Sequence, residues 1–458
     1  MKSDTIAAIA TAMSNSGIGI VRVSGSEAFT IIDQIYVPKT GEKRLSQAPS
    51  HTIHYGFIKD GDEVIDEVLV LLFRGPRSYT AEDTVEIDCH GGVLVTKRVL
   101  EAVLKHGARP ADPGEFTKRA FLNGRMDLSQ AEAVIDVINA QNEYALKSSV
   151  GQLRGSVSEK IRGLRDRILY QIAFIESALD DPEHISLDGY PEELSAIVEE
   201  MTGQVRQLLD SADDGRVMSE GIKTVILGKP NAGKSSLMNV LVGEERAIVT
   251  EIAGTTRDTL EEHIRLQGIS LNVVDTAGIR QTDDVVETIG VKRAKHAAVD
   301  ADLILYVVDS SCPLDDNDRE IIELIRDKRA IILLNKTDLK AEVDANELEE
   351  LTQKTVVPVS VKENTGLEVF EQRVKEMFYS GELNFNDQIY ITNARHKAAL
   401  DNAYESLCLV SKSIEDGMAE DFYSIDLMNA YEELGHIIGE ALEDDLVNEI
   451  FSKFCMGK

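Results

Sequence analysis

A chain of 458 residues is too long for one hydrophobic core and predicts several domains. Hydrophobic residues make up 43% of it, enough to fill full-sized cores, while aromatics are only 5% and tryptophan is absent, which favours aliphatic helix packing. Lysine and arginine total 48 against 80 acidic residues, and the resulting charge of −32 excludes a broad polyanion-binding surface, so any nucleic acid must meet a local basic patch or a partner protein.

From residue 1 to about 123, GIGIVRVSG, EVLVLLFRG and DTVEIDCHGG alternate apolar and polar residues between glycine-rich breaks, which predicts strands in an α+β domain. In GIGIVRVSG, period two places Ile18, Ile20 and Arg22 on one face and Val21 and Val23 on the other; in DTVEIDCHGG, Glu86 and Asp88 share a face. Charged residues in such rows read first as a strand's solvated side. The opening MKSDTIAAIATAMSNSG has neither a basic flank nor a sufficient apolar core for a leader, and nowhere do 18 apolar residues run together. Cys89, Cys312, Cys408 and Cys455 lie far apart without C-x-x-C spacing, which suggests neither a zinc site nor a disulfide framework. The expectation is a soluble cytoplasmic protein with no membrane partner.

Residues 124–218 carry helical patterning. Leu146, Val150, Leu153, Val157, Ile161, Leu164, Ile168, Ile172, Ile175 and Leu179 are spaced three or four apart throughout, which predicts one long, nearly straight rod ending near Asp181-Pro182. A second helical stretch follows at about 191–212. Residues 219–383 alternate apolar strand runs, KTVILG, LNVVDT, ADLILYVVDSS, AIILLN and VVPVSV, with helices, the pattern of an α/β domain. Residues 384–458 return to helix, as in Leu427, Tyr431, Leu434, Ile438, Ala441 and Leu442. The α/β domain is therefore expected as an insertion in a helical domain built from two chain segments.

The chemistry concentrates in that insertion. GKPNAGKS, Gly228 to Ser235, matches G-x-x-x-x-G-K-[ST] between a predicted strand and a predicted helix. Its glycines let backbone N–H groups curl around phosphate, Lys234 can reach the β- and γ-phosphates, and Ser235 can reach Mg²⁺. DTAG, Asp275 to Gly278, closes the strand LNVVDT, where Asp275 can hold the magnesium water shell and Gly278 can meet the γ-phosphate. NKTD, Asn335 to Asp338, closes AIILLN; the Asp338 carboxylate can accept from both N1–H and N2–H₂ of guanine, a donor pair that adenine lacks, so the nucleotide is expected to be GTP. Ser360 in VVPVSVKE fits the loop over the base. In IAGTTRD, Thr256 rather than Thr255 is the candidate to complete the Mg²⁺ shell.

Many GTPases orient the attacking water with a glutamine just after DTAG and offset charge with an arginine finger. Ile279 stands there in this chain, so hydrolysis is either poor or served from elsewhere. Asn231 either offers its amide oxygen to a monovalent cation of potassium size or braces a turn, and Glu287 either positions the water or is a solvated helix charge.

Over essentially its whole length the chain resembles the MnmE (TrmE) tRNA modification GTPases, through GKPNAGKSS, IAGTTRD, DTAGIRQTDDVVETIG, NKTD, PGEFTKRAFLNGRMDLSQAEA and the terminal FCMGK. The resemblance implies an N-terminal folate-binding and dimerisation domain over 1–123, a helical domain over 124–218 and 384–458, and a Ras-like P-loop GTPase over 219–383. It implies nucleotide contacts from Asn231, Ala232, Gly233, Lys234, Ser235 and Ser236; from Thr250, Glu251, Ile252, Ala253, Gly254, Thr255 and Thr256; from Asp275, Thr276, Ala277 and Gly278; and from Asn335, Lys336, Thr337, Asp338 and Ser360. By the same carry-over Asn231 and backbone oxygens of Thr250, Ile252 and Thr255 become K⁺ ligands, Ser235 and Thr256 Mg²⁺ ligands, and Glu287 the water-orienting acid.

Folate, as 5-formyltetrahydrofolate or methylenetetrahydrofolate, is implied at Arg22, Glu86, Arg125 and Lys458, with arginine at 125 where the family usually has lysine. The implied activity is GTP hydrolysis coupled, with the flavoprotein MnmG in a heterotetramer, to placing an aminomethyl or carboxymethylaminomethyl group on C5 of the wobble uridine of certain tRNAs. Homodimers are implied as well. Cys455 is nucleophile, proton donor or essential contact within the family's C-x-G-K; a frayed tail, a structural thiol and a prenylation box compete with that reading, and a last-residue lysine argues against the box. Phe451 and Phe454 continue the last helix's apolar face and predict an anchored terminus. A non-catalytic GTP-gated scaffold of the ribosome-assembly type is the alternative from a different functional class.

Overall fold

The computed structural model describes residues 4–41, 44–140, 142–243, 261–266, 269–274, 298–299, 301–378, 389–440, 444–452, 454 and 457. The chain divides into two compact units: Met1–Ile138 with Gln152–Val198 and Glu405–Lys458, and Asn139–Gly151 with Glu199–Tyr404.

The first unit opens with β1 (Ile6–Ile9), β2 (Ile18–Ser24), α1 (Ala28–Ile35), β3 (Tyr36–Pro38), β4 (Thr52–Asp60), β5 (Glu63–Phe73), β6 (Thr84–His90), α2 (Val93–Lys105), β7 (Arg109–Pro110) and α3 (Glu115–Leu122). The seven strands form one sheet in the order β3-β4-β5-β6-β2-β1-β7, with only β7 running parallel to its neighbour. Strand alternation sorts the faces. Val21, Val23, Val70, Leu72, Val85 and Ile87 point into a core with α1 and α2. The opposite face carries the rows Ile53, Leu71, Glu86, Arg22 and Tyr55, Leu69, Asp88, Ile20, aligned across β4, β5, β6 and β2.

Next come α4 (Leu128–Asn139), α5 (Glu143–Leu153), α6 (Ser156–Asp180) and α7 (Tyr190–Glu220). The predicted rod is thus two helices. The break falls at Gly155, whose φ of +99° is left-handed and lets α5 stop and α6 start, a conformation costly for any residue with a Cβ. Within α6 the stripe survives as a buried row, Val157, Ile161, Leu164, Ile168, Ile172 and Ile175, whereas its outer members Leu146 and Leu179 are each 44% exposed.

The α/β region contains β8 (Ile222–Leu227), α8 (Lys234–Gly243), β9 (Glu261–Leu266), β10 (Ile269–Val274), β11 (Leu303–Asp309), α9 (Asp316–Ile325), β12 (Ala330–Asn335), α10 (Ala345–Thr352), β13 (Thr355–Pro358) and α11 (Leu367–Phe378). Its sheet has the order β13-β12-β11-β8-β10-β9, parallel except for the antiparallel edge strand β9. Strands β11 and β12 are buried along their whole length apart from the final Asp309, as expected of apolar runs covered on both faces.

After this insertion the chain returns to helix as α12 (Ala394–Glu415), α13 (Glu420–Ile438) and α14 (Asp444–Ser452). In the first unit α13 packs along α6. Arg165 of α6 donates from Nε to the Tyr431 carbonyl at 3.1 Å and lies 4.0 Å over the Tyr431 ring, and Ser424 Oγ donates to Glu176 at 2.9 Å. The helical domain is therefore closed from two segments far apart in sequence. Among the described residues no helix is long and apolar enough to cross a membrane.

Candidate functional site

Strand β8 ends at Leu227 and α8 begins at Lys234, so the GKPNAG part of GKPNAGKS forms the connecting loop and Lys234 and Ser235 open the helix. Gly233, with φ +104°, sits so close to Asn335 that an added Cβ would lie 2.2 Å from Asn335 Nδ2. Glycine is required there by that approach as well as by its backbone angle. Asn335 joins three loops: its Nδ2 donates to the Ala232 carbonyl at 2.9 Å, and its Oδ1 accepts from Val361 N–H at 3.2 Å. The phosphate loop, the NKTD loop and the SVK loop thus meet through one buried side chain.

Around it, Lys336 Nζ pairs with Asp309 at 2.6 Å and Thr337 Oγ1 donates to the Val359 carbonyl at 3.0 Å. Asp338 Oδ1 accepts from Ser360 Oγ at 2.8 Å. That hydrogen bond, more than any other neighbour, holds the Asp338 carboxyl below its ordinary pKa and ready to accept from a base. Lys234 Nζ donates to the carbonyls of Gly228 and Lys229, both at 2.7 Å, and burial lowers its pKa. Asn231 is exposed in this loop, with a left-handed φ of +63°. Ser235 and Ser236 are exposed on the first turn of α8.

A second constellation lies on the open face of the N-terminal sheet. Arg22 and Glu86 face each other in register across β2 and β6, with Arg22 Nε 2.7 Å from Glu86 Oε1. Their side chains are only 13% and 18% exposed, so the solvated-strand reading is corrected: aromatic rings and the chain terminus enclose the pair. The Arg22 guanidinium lies 4.9 Å from the Tyr79 ring centroid and 5.6 Å from that of Phe116. Arg125 lies 4.9 Å from the same Tyr79 ring, so one tyrosine carries two guanidinium groups. Two positions along β6, Asp88 Oδ1 is buried without a hydrogen-bond partner among the described residues, and burial, then the Glu86 charge, push its carboxyl pKa up.

The terminus reaches this place. Phe451 and Phe454 are buried with Ala120, Met126, Leu128 and Val447, as their spacing predicted, and the Gly457 carbonyl accepts from Arg22 Nη1 at 3.4 Å.

Residues 128–455 match the family described as MnmE helical domain, and residues 5–125 match the one described as GTP-binding protein TrmE N-terminus. The tRNA modification GTPase MnmE of Lachnoclostridium phytofermentans is 59% identical over 458 residues, covering 100% of each chain. This chain belongs to the MnmE family. The Enterococcus faecalis member is 46% identical over 462 residues, covering 100% of this chain and 99% of its own. Among solved structures, the G domain of the T. maritima FeoB iron transporter matches at 26% identity and a TM-score of 0.27, over 35% of this chain and 99% of its own.

Of the residues that the MnmE resemblance singled out, Asn231, Ala232, Gly233, Lys234, Ser235, Ser236, Asn335, Lys336, Thr337, Asp338 and Ser360 are brought to one end of the second sheet, and Arg22, Glu86 and Arg125 to one face of the first. Thr250, Glu251, Ile252, Ala253, Gly254, Thr255, Thr256, Asp275, Thr276, Ala277, Gly278, Glu287, Cys455 and Lys458 lie outside the described residues. Tyr79 and Phe116 went unnoticed in the sequence. Tyr79 stands in the irregular stretch RSYTAED, where no period flags it, and Phe116 reads as ordinary helix core.

Proposed function

We propose that this chain is a potassium-activated GTP hydrolase that acts with the flavoprotein MnmG to install an aminomethyl or carboxymethylaminomethyl group at C5 of the wobble uridine of certain tRNAs, using a folate-derived one-carbon unit. The observation that carries the reading is full-length 59% identity to a tRNA modification GTPase, combined with a phosphate loop and a guanine-type NKTD loop joined by Asn335.

In this reading the base is read by Asp338, supported by Ser360, while Asn335 and Lys336 brace the loop, Thr337 flanks it, and the triphosphate lies along Ala232, Gly233, Lys234 and Ser236. Ser235 with Thr256 would hold Mg²⁺, and Asn231 with Thr250, Ile252 and Thr255 would hold K⁺; bound there, the cations supply positive charge beside the β- and γ-phosphates. The exposed position of Asn231 in the phosphate loop supports that assignment. Glu287 orients the attacking water, and Asp275 to Gly278 with Glu251 to Gly254 complete the nucleotide contacts.

Folate belongs on the N-terminal sheet face. Arg22 and Arg125 over Tyr79 present cationic groups suited to a carboxylate tail, Glu86 presents an acceptor for pterin N–H groups, and the Gly457 carbonyl at Arg22 supports a part for its chain neighbours Cys455 and Lys458 in this site. The exposed Val37, Ile53, Tyr55 and Leu69 on the same face form an apolar surface that supports homodimerisation. The charge of −32 favours tRNA contact through MnmG. The compartment is the cytoplasm.

Nucleoside mass spectrometry of tRNA tests the function. Cells lacking the chain are expected to lose the C5-modified wobble uridine and regain it on complementation. Unchanged nucleoside levels would leave a GTP-gated scaffold as the better reading. Steady-state GTP hydrolysis in KCl and NaCl at matched ionic strength tests the cation: at least about tenfold faster turnover is expected in KCl, a small part of what a charge at the transferring phosphate can supply. Equal rates would remove K⁺ from the mechanism.

A further inference from the structure

The phosphate loop holds a second lysine. Lys229 directly follows Gly228, and in a loop that wraps a triphosphate it reads as a further phosphate cation. Its side chain is committed elsewhere. Lys229 Nζ lies 2.6 Å from Asp318 Oδ2 and 3.0 Å from Asp315 Oδ2, with only 19% of the side chain exposed. Both acids belong to the N-terminal turn of α9, where Asp315 is the capping residue and its side chain accepts from Asn317 N–H and Asp318 N–H. Asp318 is almost wholly buried and also accepts from the hydroxyl of Tyr306, a fully buried residue of β11, at 2.6 Å. Burial, with Asp318 beside it, keeps that phenol in its neutral donor form.

The main chain of Lys229 faces the other way. Its carbonyl accepts from Lys234 Nζ at 2.7 Å and from Ala232 N–H at 3.3 Å. The peptide that aims the phosphate-binding ammonium is therefore tied, through one side chain, to a buried carboxylate on the next strand–helix junction.

We propose that Lys229 is a positioning residue: its ion pair with Asp318 and Asp315 fixes the carbonyl that orients Lys234 toward the β- and γ-phosphates. The inference rests on the nucleotide-site reading above. An ammonium with two anchored acceptors has little freedom, and orientation prepared before binding need not be organised when the nucleotide arrives. Three charged groups then act on GTP without touching it.

Titration of the full chain with GTP and with GDP, in Mg²⁺ and KCl, tests this. Lys229→Met leaves Asp318 charged and unpaired, which by itself threatens folding. Lys229→Met/Asp318→Asn removes both charges and keeps an acceptor for Tyr306. Both variants are expected to raise the dissociation constants of GTP and GDP to a similar extent, on the order of tenfold, with a smaller change in kcat at saturating GTP. Lys229→Arg, which keeps the pair, is expected to restore affinity to within about threefold.

Wild-type affinity in the double variant would overturn the proposal, since any loss in the single variant would then come from the stranded Asp318 charge. A lowered melting temperature with unchanged affinity would overturn it too, because the pair would be structural only. Failure of the unsubstituted chain to bind GTP would instead refute the nucleotide-site reading.

Discussion

Asp338→Asn is expected to cost GTP at least about a hundredfold in kcat/KM and to transfer the preference to xanthosine triphosphate. Asp338 presents an acceptor-only group; its side chain is 9% exposed and its Oδ1 is fixed by the Ser360 hydroxyl. Guanine offers N1–H and N2–H₂ to such a carboxylate. An asparagine keeps one acceptor but turns its amide N–H₂ toward the guanine amino group, where two donors meet and neither is satisfied. Xanthine has a carbonyl in place of that amino group and accepts the new donor. The fold is expected to persist, since Asn335 and its bonds to Ala232 and Val361 are untouched. Paired kcat/KM measurements with the two triphosphates check this, and continued strong preference for GTP would mean that another residue reads the base.

Lys234→Met is expected to weaken binding of GTP and GDP by roughly a hundred- to a thousandfold, as follows from losing about two charge-assisted hydrogen bonds to phosphate. Methionine matches the stem but not the ammonium. Without it the Gly228 and Lys229 carbonyls lose a shared donor, so a lower melting temperature is expected alongside the lost affinity. Isothermal titration at a temperature where circular dichroism shows the variant folded separates the two effects. Retained affinity in the folded variant would remove Lys234 from the phosphate site.

Much of the candidate nucleotide site is legible in the sequence, because the relevant constraints are local. A phosphate loop is a strand end, a turn and a helix start within a few residues, and KTVILGKPNAGKSS spells out all three. The α6 stripe was legible for the same reason, since a helix repeats its face every three or four residues. The same logic ran on too far: the repeat continued through Gly155, and only that glycine's left-handed backbone parts α5 from α6. Periodicity records which residues share a face if the helix continues, not whether it does.

What the amino-acid sequence determined by itself is therefore the class of each segment, the insertion of an α/β domain between helical segments, the apolar anchoring of Phe451 and Phe454, and the family. Tertiary structure alone decided the pairings. Arg22 meets Glu86 across 64 residues, Asn335 reaches Ala232 across 103, and Gly457 arrives at Arg22 across 435. It also committed the Lys229 side chain to Asp318 and set Tyr79 beneath two guanidinium groups. A propensity or a motif acts within a turn or two of chain, whereas strand register and loop convergence are collective outcomes of burying every core at once.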